Sequence, residues 1–269
     1  MKNNIKVIYV DIDETLMNSR KEVSLFTKEV IRNTINKNIY VILSSGRNNK
    51  NVEKVSRSVF ASNFIISSNG ALAYNYETKE VLYEERINFD DIKEIWNFML
   101  KHKIGCFINY VSGRYCNKYI TVDNDNEYKY LDDIDNMKGE NIYQLVVSCN
   151  NYKKSIKALS YIKNSKVVRV INLSKSLKYN IKRSSYYFID IVSVNANKGN
   201  AVKFMTKYLN LDKNQTLCFG DHINDIEMFK ECQYKVAVSN ACEELKELAT
   251  DITLSNDEDG VGIYIKDNV

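Results

Sequence analysis

Four short clusters carry the residue types that do chemistry. In the first, the apolar run Val7-Ile8-Tyr9-Val10 ends on Asp11 and Asp13, two carboxylates one residue apart. On an extended strand they start on opposite faces, so both serve one site only if the chain bends there, and Asp13-Glu14-Thr15 is suitable turn chemistry. Alone, the pair also fits a turn or a helix cap. In Leu43-Ser44-Ser45-Gly46-Arg47, small hydroxyls and a glycine let backbone N–H groups approach an anion. In Asn197-Lys198-Gly199, a lysine opens a helix and can place a compact positive charge over a phosphate, or simply face solvent. The fourth, Gly220-Asp221-His222-Ile223-Asn224-Asp225, follows a buried strand, and a helix start would bring Asp221 and Asp225 to one side. The acids at both ends of the chain offer hard oxygen ligands suited to Mg²⁺. Thiolate or imidazole ligation is not indicated: His102 reads as a surface residue, and His222 among acids is a poor zinc ligand.

These clusters need strands to deliver them. Over residues 6–83 the pattern predicts strand 6–10, helix 24–37, strand 40–43, helix 48–60, strand 64–66 and a hairpin of 71–74 with 80–83. That alternation calls for a parallel sheet with right-handed crossovers. The middle changes character: helix 90–101, short strands at 105–110, 115–122, 143–148, 167–171 and 177–181, and one more helix, 152–163. From 187 the alternation returns with strand 187–191, helix 198–209, strand 216–219, helix 223–230, strand 235–238 and helix 242–249. The fold class is therefore α/β, a discontinuous core of residues 1–82 and 187–269 interrupted by an α+β module at 83–186.

At 269 residues and 44% apolar, the chain can bury a full core. No apolar leader or span of membrane length is evident, so a cytoplasmic protein with no membrane partner is expected. The six cysteines are far apart, none in a CxxC spacing, and read as reduced thiols. The net charge of +4 is uneven. Residues 83–186 hold 18 basic and 12 acidic side chains, and residues 141–186 hold ten basic and no acidic ones. Lys153, Lys154, Lys157 and Lys163 fit a solvated face around the apolar stripe of Ile156, Leu159 and Ile162; the same charge can also draw an anionic substrate.

In this order, the clusters resemble the motifs of the haloacid dehalogenase (HAD) superfamily. Asp11-Ile-Asp13-Glu-Thr-Leu is similar to its DxDGTL motif, Ser45-Gly46-Arg47 to Thr/Ser-Gly-Arg, Lys198-Gly199 to Lys-Gly, and Gly220 to Asp225 to GDxxND. Ser68-Asn69-Gly70-Ala71, Val238-Ser-Asn240-Ala241 and Asn256-Asp-Glu-Asp-Gly260-Val261 resemble its Cof-type branch, subclass IIB. The resemblance implies a Rossmann-like core with an inserted C2-type cap. It implies a Mg²⁺-dependent phosphatase in which Asp11 attacks phosphorus to form an aspartyl phosphate and Asp13 is the acid and base. Asp11, the backbone carbonyl of Asp13, Asp221 and Asp225 would hold the metal. Ser45, Gly46 and Lys198 would bind the phosphoryl oxygens, with Asn224 assisting.

The implied substrate is a small phosphorylated metabolite, such as a sugar phosphate, with Arg114, Lys118, Tyr119, Lys182 and Arg183 as candidate cap contacts. A phosphomutase of the same superfamily and a non-catalytic phosphometabolite-binding protein are the alternatives. A phosphoacceptor signalling domain fails on motif order and length. Nucleic-acid binding lacks a recognisable module and conflicts with the acidic clusters. Two residues depart from the pattern. Glu14 stands where the family usually has Gly, adding a carboxylate near the metal, and Asn48 follows Arg47 where Pro is common.

Overall fold

Val7 to Val10 are buried at every position, as a parallel strand covered on both faces must be. A computed structural model describes residues 4–111, 113–120, 128–149, 151–163, 168–177 and 185–269. They form two compact units, one of residues 1–84 with 197–269 and one of residues 85–196.

In chain order the first unit begins with β1 (Val7–Val10), α1 (Leu25–Asn36), β2 (Tyr40–Ser44), α2 (Asn49–Ser58), β3 (Phe64–Ser67), β4 (Leu72–Asn75) and β5 (Glu80–Glu84). Ser24 caps α1 by accepting the N–H of Thr27 at 3.0 Å, and the helix buries Thr27, Ile31 and Thr34 along one stripe. Asn48 caps α2, its side chain accepting from the N–H of Asn51 at 2.9 Å. The departure at Asn48 thus has a local reason: in a chain without proline, a side-chain cap starts the helix.

The second unit holds α3 (Phe89–Lys101), β6 (Gly105–Tyr110), β7 (Gly113–Cys116), β8 (Tyr128–Tyr130), β9 (Ile142–Cys149), α4 (Tyr152–Lys163), β10 (Val168–Leu177) and β11 (Ser185–Ser193). The strands form one sheet in the order β10-β11-β9-β6-β7-β8, antiparallel except for the β7–β8 pair. Ile92, Ile95, Trp96 and Met99 of α3 and Ala158 and Ile162 of α4 pack with Cys106, Ile108, Leu145, Val147, Ile189 and Ile191 on one face of that sheet. The strand expected at 187–191 therefore belongs to the insertion and not to the core. It pairs antiparallel with both β9 and β10. Its alternation of Ile189 and Ile191 with Asp190 is the mark of a half-covered antiparallel strand. Residues 178–181 of the expected strand 177–181 lie outside the described residues.

The first unit resumes with α5 (Lys198–Tyr208), β12 (Thr216–Gly220), α6 (Ile226–Glu231), β13 (Tyr234–Val238), α7 (Glu243–Lys246), β14 (Asp251–Thr253) and α8 (Gly260–Asn268). Its sheet runs β14-β13-β12-β1-β2-β3-β4-β5, parallel from β14 to β3 and antiparallel from there. The helix expected at 223–230 starts as a 3₁₀ turn over Ile223–Asp225, and the one expected at 242–249 keeps only four residues. The strand β14 and helix α8 were not expected from the sequence. No helix among the described residues is long and apolar enough to cross a membrane.

Between β3 and β4 the chain reverses through three consecutive left-handed residues, Ser68 (φ 50°), Asn69 (φ 56°) and Gly70 (φ 88°). A Cβ on Gly70 would lie 2.2 Å from the carbonyl oxygen of Asn197, the cap of α5. Gly139 is also left-handed (φ 95°) but has nothing within 4 Å. Gly139→Ala should therefore cost about 1 kcal/mol through backbone strain alone, and Gly70→Ala at least about 2 kcal/mol because the α5 cap must also move. Urea unfolding of the two variants measures the difference, and equal losses would contradict the packing account.

Candidate active site

Within the first unit, β1 lies between β12 and β2, with chain order running outward in both directions. That is a topological switch point, where open parallel sheets place ligands beyond the strands' carboxyl ends. Asp11 follows β1 and donates its N–H to the carbonyl of Phe219 at 3.1 Å, extending the ladder to the residues just before Asp221. The parallel register Val10↔Phe219 thus brings the first and fourth sequence clusters together.

One carboxylate oxygen each from Asp11, Asp221 and Asp225 lies within 4.8 Å of the others, and all three residues are buried. Lys198, the first residue of α5, is 1% exposed. Its Nζ donates to Asp11 Oδ1 at 2.5 Å and to Asp225 Oδ1 at 2.6 Å. Asp225 Oδ2 accepts the N–H groups of Asp221 (3.1 Å) and His222 (3.2 Å). Both oxygens of Asp225 thus help to hold its loop and the lysine, while the residue remains one of the three that offer an oxygen to a metal. Thr15 Oγ1 donates to Asp221 Oδ1 at 2.7 Å.

Three buried acids face one ammonium. Burial pushes Asp11 well above the usual carboxylate range; Lys198 opposes the shift, and Asp225 and Asp221 add to it. Asp221 is pushed up to about 7 by burial and by Asp225, against the Thr15 hydrogen bond and Lys198, with Glu14 adding a little. Burial works against the charge on Lys198, but Asp11 and Asp225 outweigh it and raise its pKa. An all-oxygen, over-acidic cluster of this kind fits a hard divalent cation, which would restore the charge balance. Among the described residues no second convergence of three acid, His or Cys side chains is found.

Asp13 stands apart. Its carboxylate takes two hydrogen bonds from Arg47, Nε and Nη2 each at 2.8 Å, and one from Lys21 at 3.3 Å. Burial alone would raise its pKa, but the Arg47 hydrogen bonds and charge, with Lys21, hold it below the ordinary value. The Asp13 carboxylate is thus committed to Arg47, outside the three-acid cluster, and the ligand expected of this residue, its backbone carbonyl, is a separate atom that this pairing does not engage.

Ser45 is buried, and its Oγ accepts the N–H of Arg47 at 3.2 Å. The loop of Ser45 to Arg47 is held from behind, because Ser68 N–H donates to the Arg47 carbonyl (2.8 Å) and Asn69 N–H to the Ser45 carbonyl (3.0 Å). Gly46 sits against the Asn69 amide, where a Cβ would meet Nδ2 and Oδ1 at 3.0 Å each. Asn224 Nδ2 donates to Asn69 Oδ1 at 3.2 Å, joining the turn at Ser68–Gly70, which backs the second cluster, to the fourth.

Glu14 has φ 63°, the left-handed backbone that a glycine would take there without strain. Its carbonyl accepts from Asn240 Nδ2 at 2.8 Å, Asn240 Oδ1 accepts the N–H of Asn256 at 3.0 Å, and Asn256 Nδ2 donates to the Met17 carbonyl at 2.9 Å. The turn after Asp11 is thus pinned by the two asparagines that stood out as branch signatures. Thr15, Arg47, Asn69, Asn240 and Asn256 carry roles that spacing along the chain does not signal, although each lies within one of the motif segments.

In the second unit, Arg114 donates to Asn109 Oδ1 (2.9 Å) and to the Tyr128 hydroxyl (3.2 Å), and Lys118 lies over the ring of Tyr119. Lys182 and Arg183 lie outside the described residues.

Comparisons with known proteins identify the family. The family model for haloacid dehalogenase-like hydrolases matches residues 8–265. YxeH of Bacillus subtilis strain 168, provisionally named a phosphatase, is 28% identical over 278 residues, covering 98% of each chain. The 5-amino-6-(5-phospho-D-ribitylamino)uracil phosphatase YcsE of the same strain is 26% identical, covering 98% of this chain and 95% of its own. A solved HAD subclass IIB sugar phosphatase has the same fold, with a TM-score of 0.76 at 20% identity over 97% of this chain and 98% of its own. With a family model spanning the chain from β1 to α8, the protein belongs to the haloacid dehalogenase-like hydrolases.

Proposed function

We propose that the protein is a Mg²⁺-dependent phosphatase that hydrolyses a small phosphorylated metabolite, most simply a sugar phosphate, through an aspartyl phosphate on Asp11. Phosphoric monoester hydrolysis follows from the family and from relatives named as phosphatases. The observation that carries the route is the buried Asp11 carboxylate, clamped by Lys198 beside Asp221 at the switch point.

In this reading an oxygen of Asp11 attacks phosphorus as the bond to the leaving oxygen breaks. Asp13 gives that oxygen a proton, then takes one from the water that hydrolyses the acyl phosphate and frees orthophosphate and Asp11. The pairing with Arg47 keeps Asp13 ionised, which suits the second step. For the first, the pair must loosen so that Asp13 can carry a proton. Ser45, Gly46 and Lys198 bind and orient the phosphoryl oxygens, Asn224 supports them, and Asp225 holds Lys198 and the loop in place. Asp11, Asp221 and the Asp13 carbonyl would hold Mg²⁺, which when bound supplies charge neutralisation at the phosphoryl group. The name of YcsE, a phosphatase of a phosphorylated metabolite, supports the substrate class.

Asp11→Asn should abolish Mg²⁺-dependent release of p-nitrophenol from p-nitrophenyl phosphate while the Tm stays near wild type; normal turnover would sink the nucleophile assignment. EDTA should silence the wild-type enzyme, with recovery on adding Mg²⁺.

The Asp221 pKa sets a pH dependence. A carboxyl raised from 3.8 in the unfolded chain to about 7 in the fold stabilises fully below pH 3.8 and loses that contribution as pH rises through 7. Metal-free protein should therefore lose several degrees of Tm between about pH 5 and about pH 8, and Mg²⁺, which binds the ionised form, should raise Tm more at the higher pH. Scanning fluorimetry in EDTA and in Mg²⁺ checks both, and Asp221→Asn should flatten both trends.

A further inference from the structure

We propose that Asn69 is a further phosphoryl-binding residue of this site, its side-chain Nδ2 donating to an oxygen of the bound phosphoryl group; this rests on the phosphatase reading above. Asn69 is 1% exposed, and its Nδ2 has no hydrogen-bond partner among the described residues. Buried polar groups are nearly always paired, and a primary amide left with an idle donor calls for an explanation. The other half of the amide is committed, because Oδ1 accepts from Asn224.

The amide lies between two residues assigned above to the phosphoryl group, packed against Gly46 and hydrogen-bonded to Asn224. It is 3.0 Å from the position a Gly46 side chain would occupy, beside Ser45. Packing alone does not require an asparagine here. The backbone N–H of Asn69 already ties down the Ser45 carbonyl, and any residue with an N–H does that. The chain nevertheless holds this side chain in place at a conformational cost, through left-handed backbone at Ser68, Asn69 and Gly70. A glycine at 46 leaves the space that the amide fills. An N–H donor pre-set against the loop of Ser45 and Gly46, and shut off from water, is the kind of group that stabilises developing negative charge effectively.

Two substitutions tolerate the left-handed backbone and separate a donor from a spacer. Asn69→Gly removes the side chain. Asn69→Asp keeps its shape and an acceptor for Asn224 but replaces the donor with an anion. Binding of inorganic phosphate by calorimetry in Mg²⁺, KM and kcat for p-nitrophenyl phosphate, and Tm are measured for each. Loss of one hydrogen bond to a charged group should weaken phosphate binding and raise KM about tenfold or more in Asn69→Gly, and further in Asn69→Asp through repulsion. Phosphate binding and KM unchanged in either variant would overturn the proposal. So would an Asn69→Asp variant that binds phosphate better than Asn69→Gly, since that ranking belongs to a spacer. Wild-type protein that binds phosphate but hydrolyses no phosphomonoester would refute the phosphatase reading while the calorimetry still decides the role of Asn69. Wild-type protein that does neither overturns both.

Discussion

Three buried carboxylates held around a single lysine are the constraint on which the rest of this structure depends. Asp11, Asp221 and Asp225 cannot all be ionised away from water without compensation, and Lys198 offsets only one charge. The surrounding devices divide the remaining tension. Asp225 spreads its charge over two backbone N–H groups, Thr15 donates to Asp221, and Asp221 shifts toward neutrality. What is left over is a deficit of positive charge in a small oxygen-lined space, and that deficit is the chemical character of the site.

The sheet makes this concentration of charge possible. Only at the switch point do two parallel strands end side by side with their crossovers departing in opposite directions, leaving room beyond their ends. β1 and β12 use that room for the acids, β2 brings Ser45 and Arg47, and the start of α5 brings Lys198. The supporting contacts are made by loops with unusual backbone. Glu14, Ser68 and Asn69 are all left-handed, and each lies within a hydrogen-bonded stretch that fixes it. Strain is thereby concentrated where the geometry must be exact to a fraction of an ångström.

Much of this was legible in the sequence because strand ends in a parallel sheet have simple signatures. An unbroken apolar run that stops at an acid or a small polar residue located Asp11, Ser45 and Asp221, and the alternation of strands with helices implied a common edge. What escaped had physical causes. The pairing of Asp13 with Arg47 joins residues in the segments that follow different strands, and spacing along the chain carries no information about it. The amides of Asn69, Asn240 and Asn256 act through single long-range hydrogen bonds, which no periodicity reports. The strand at 187–191 lies in the other sheet from the one its place in the chain suggests, because a short apolar run looks alike in either, and only Asp190 between Ile189 and Ile191 distinguishes them. The α7 region was overextended for the related reason that an apolar period outlasts the helix it suggests.

The asparagine network has a temporal side. β1 is synthesised well before its partners: the turn that follows it is secured by Asn240 and Asn256, and Thr27 of α1 bonds Asp259 across more than two hundred residues. Contacts of such sequence separation form late, after the entropy of closing the intervening chain has been overcome. The acids of β1 therefore wait, on a nascent polypeptide, for partners still inside the ribosome, and the insertion at 85–196 is complete before they meet. Assembling the acids of the site therefore means closing a loop of roughly two hundred residues between Asp11 and Asp221, and that entropy is part of what the finished fold must offset.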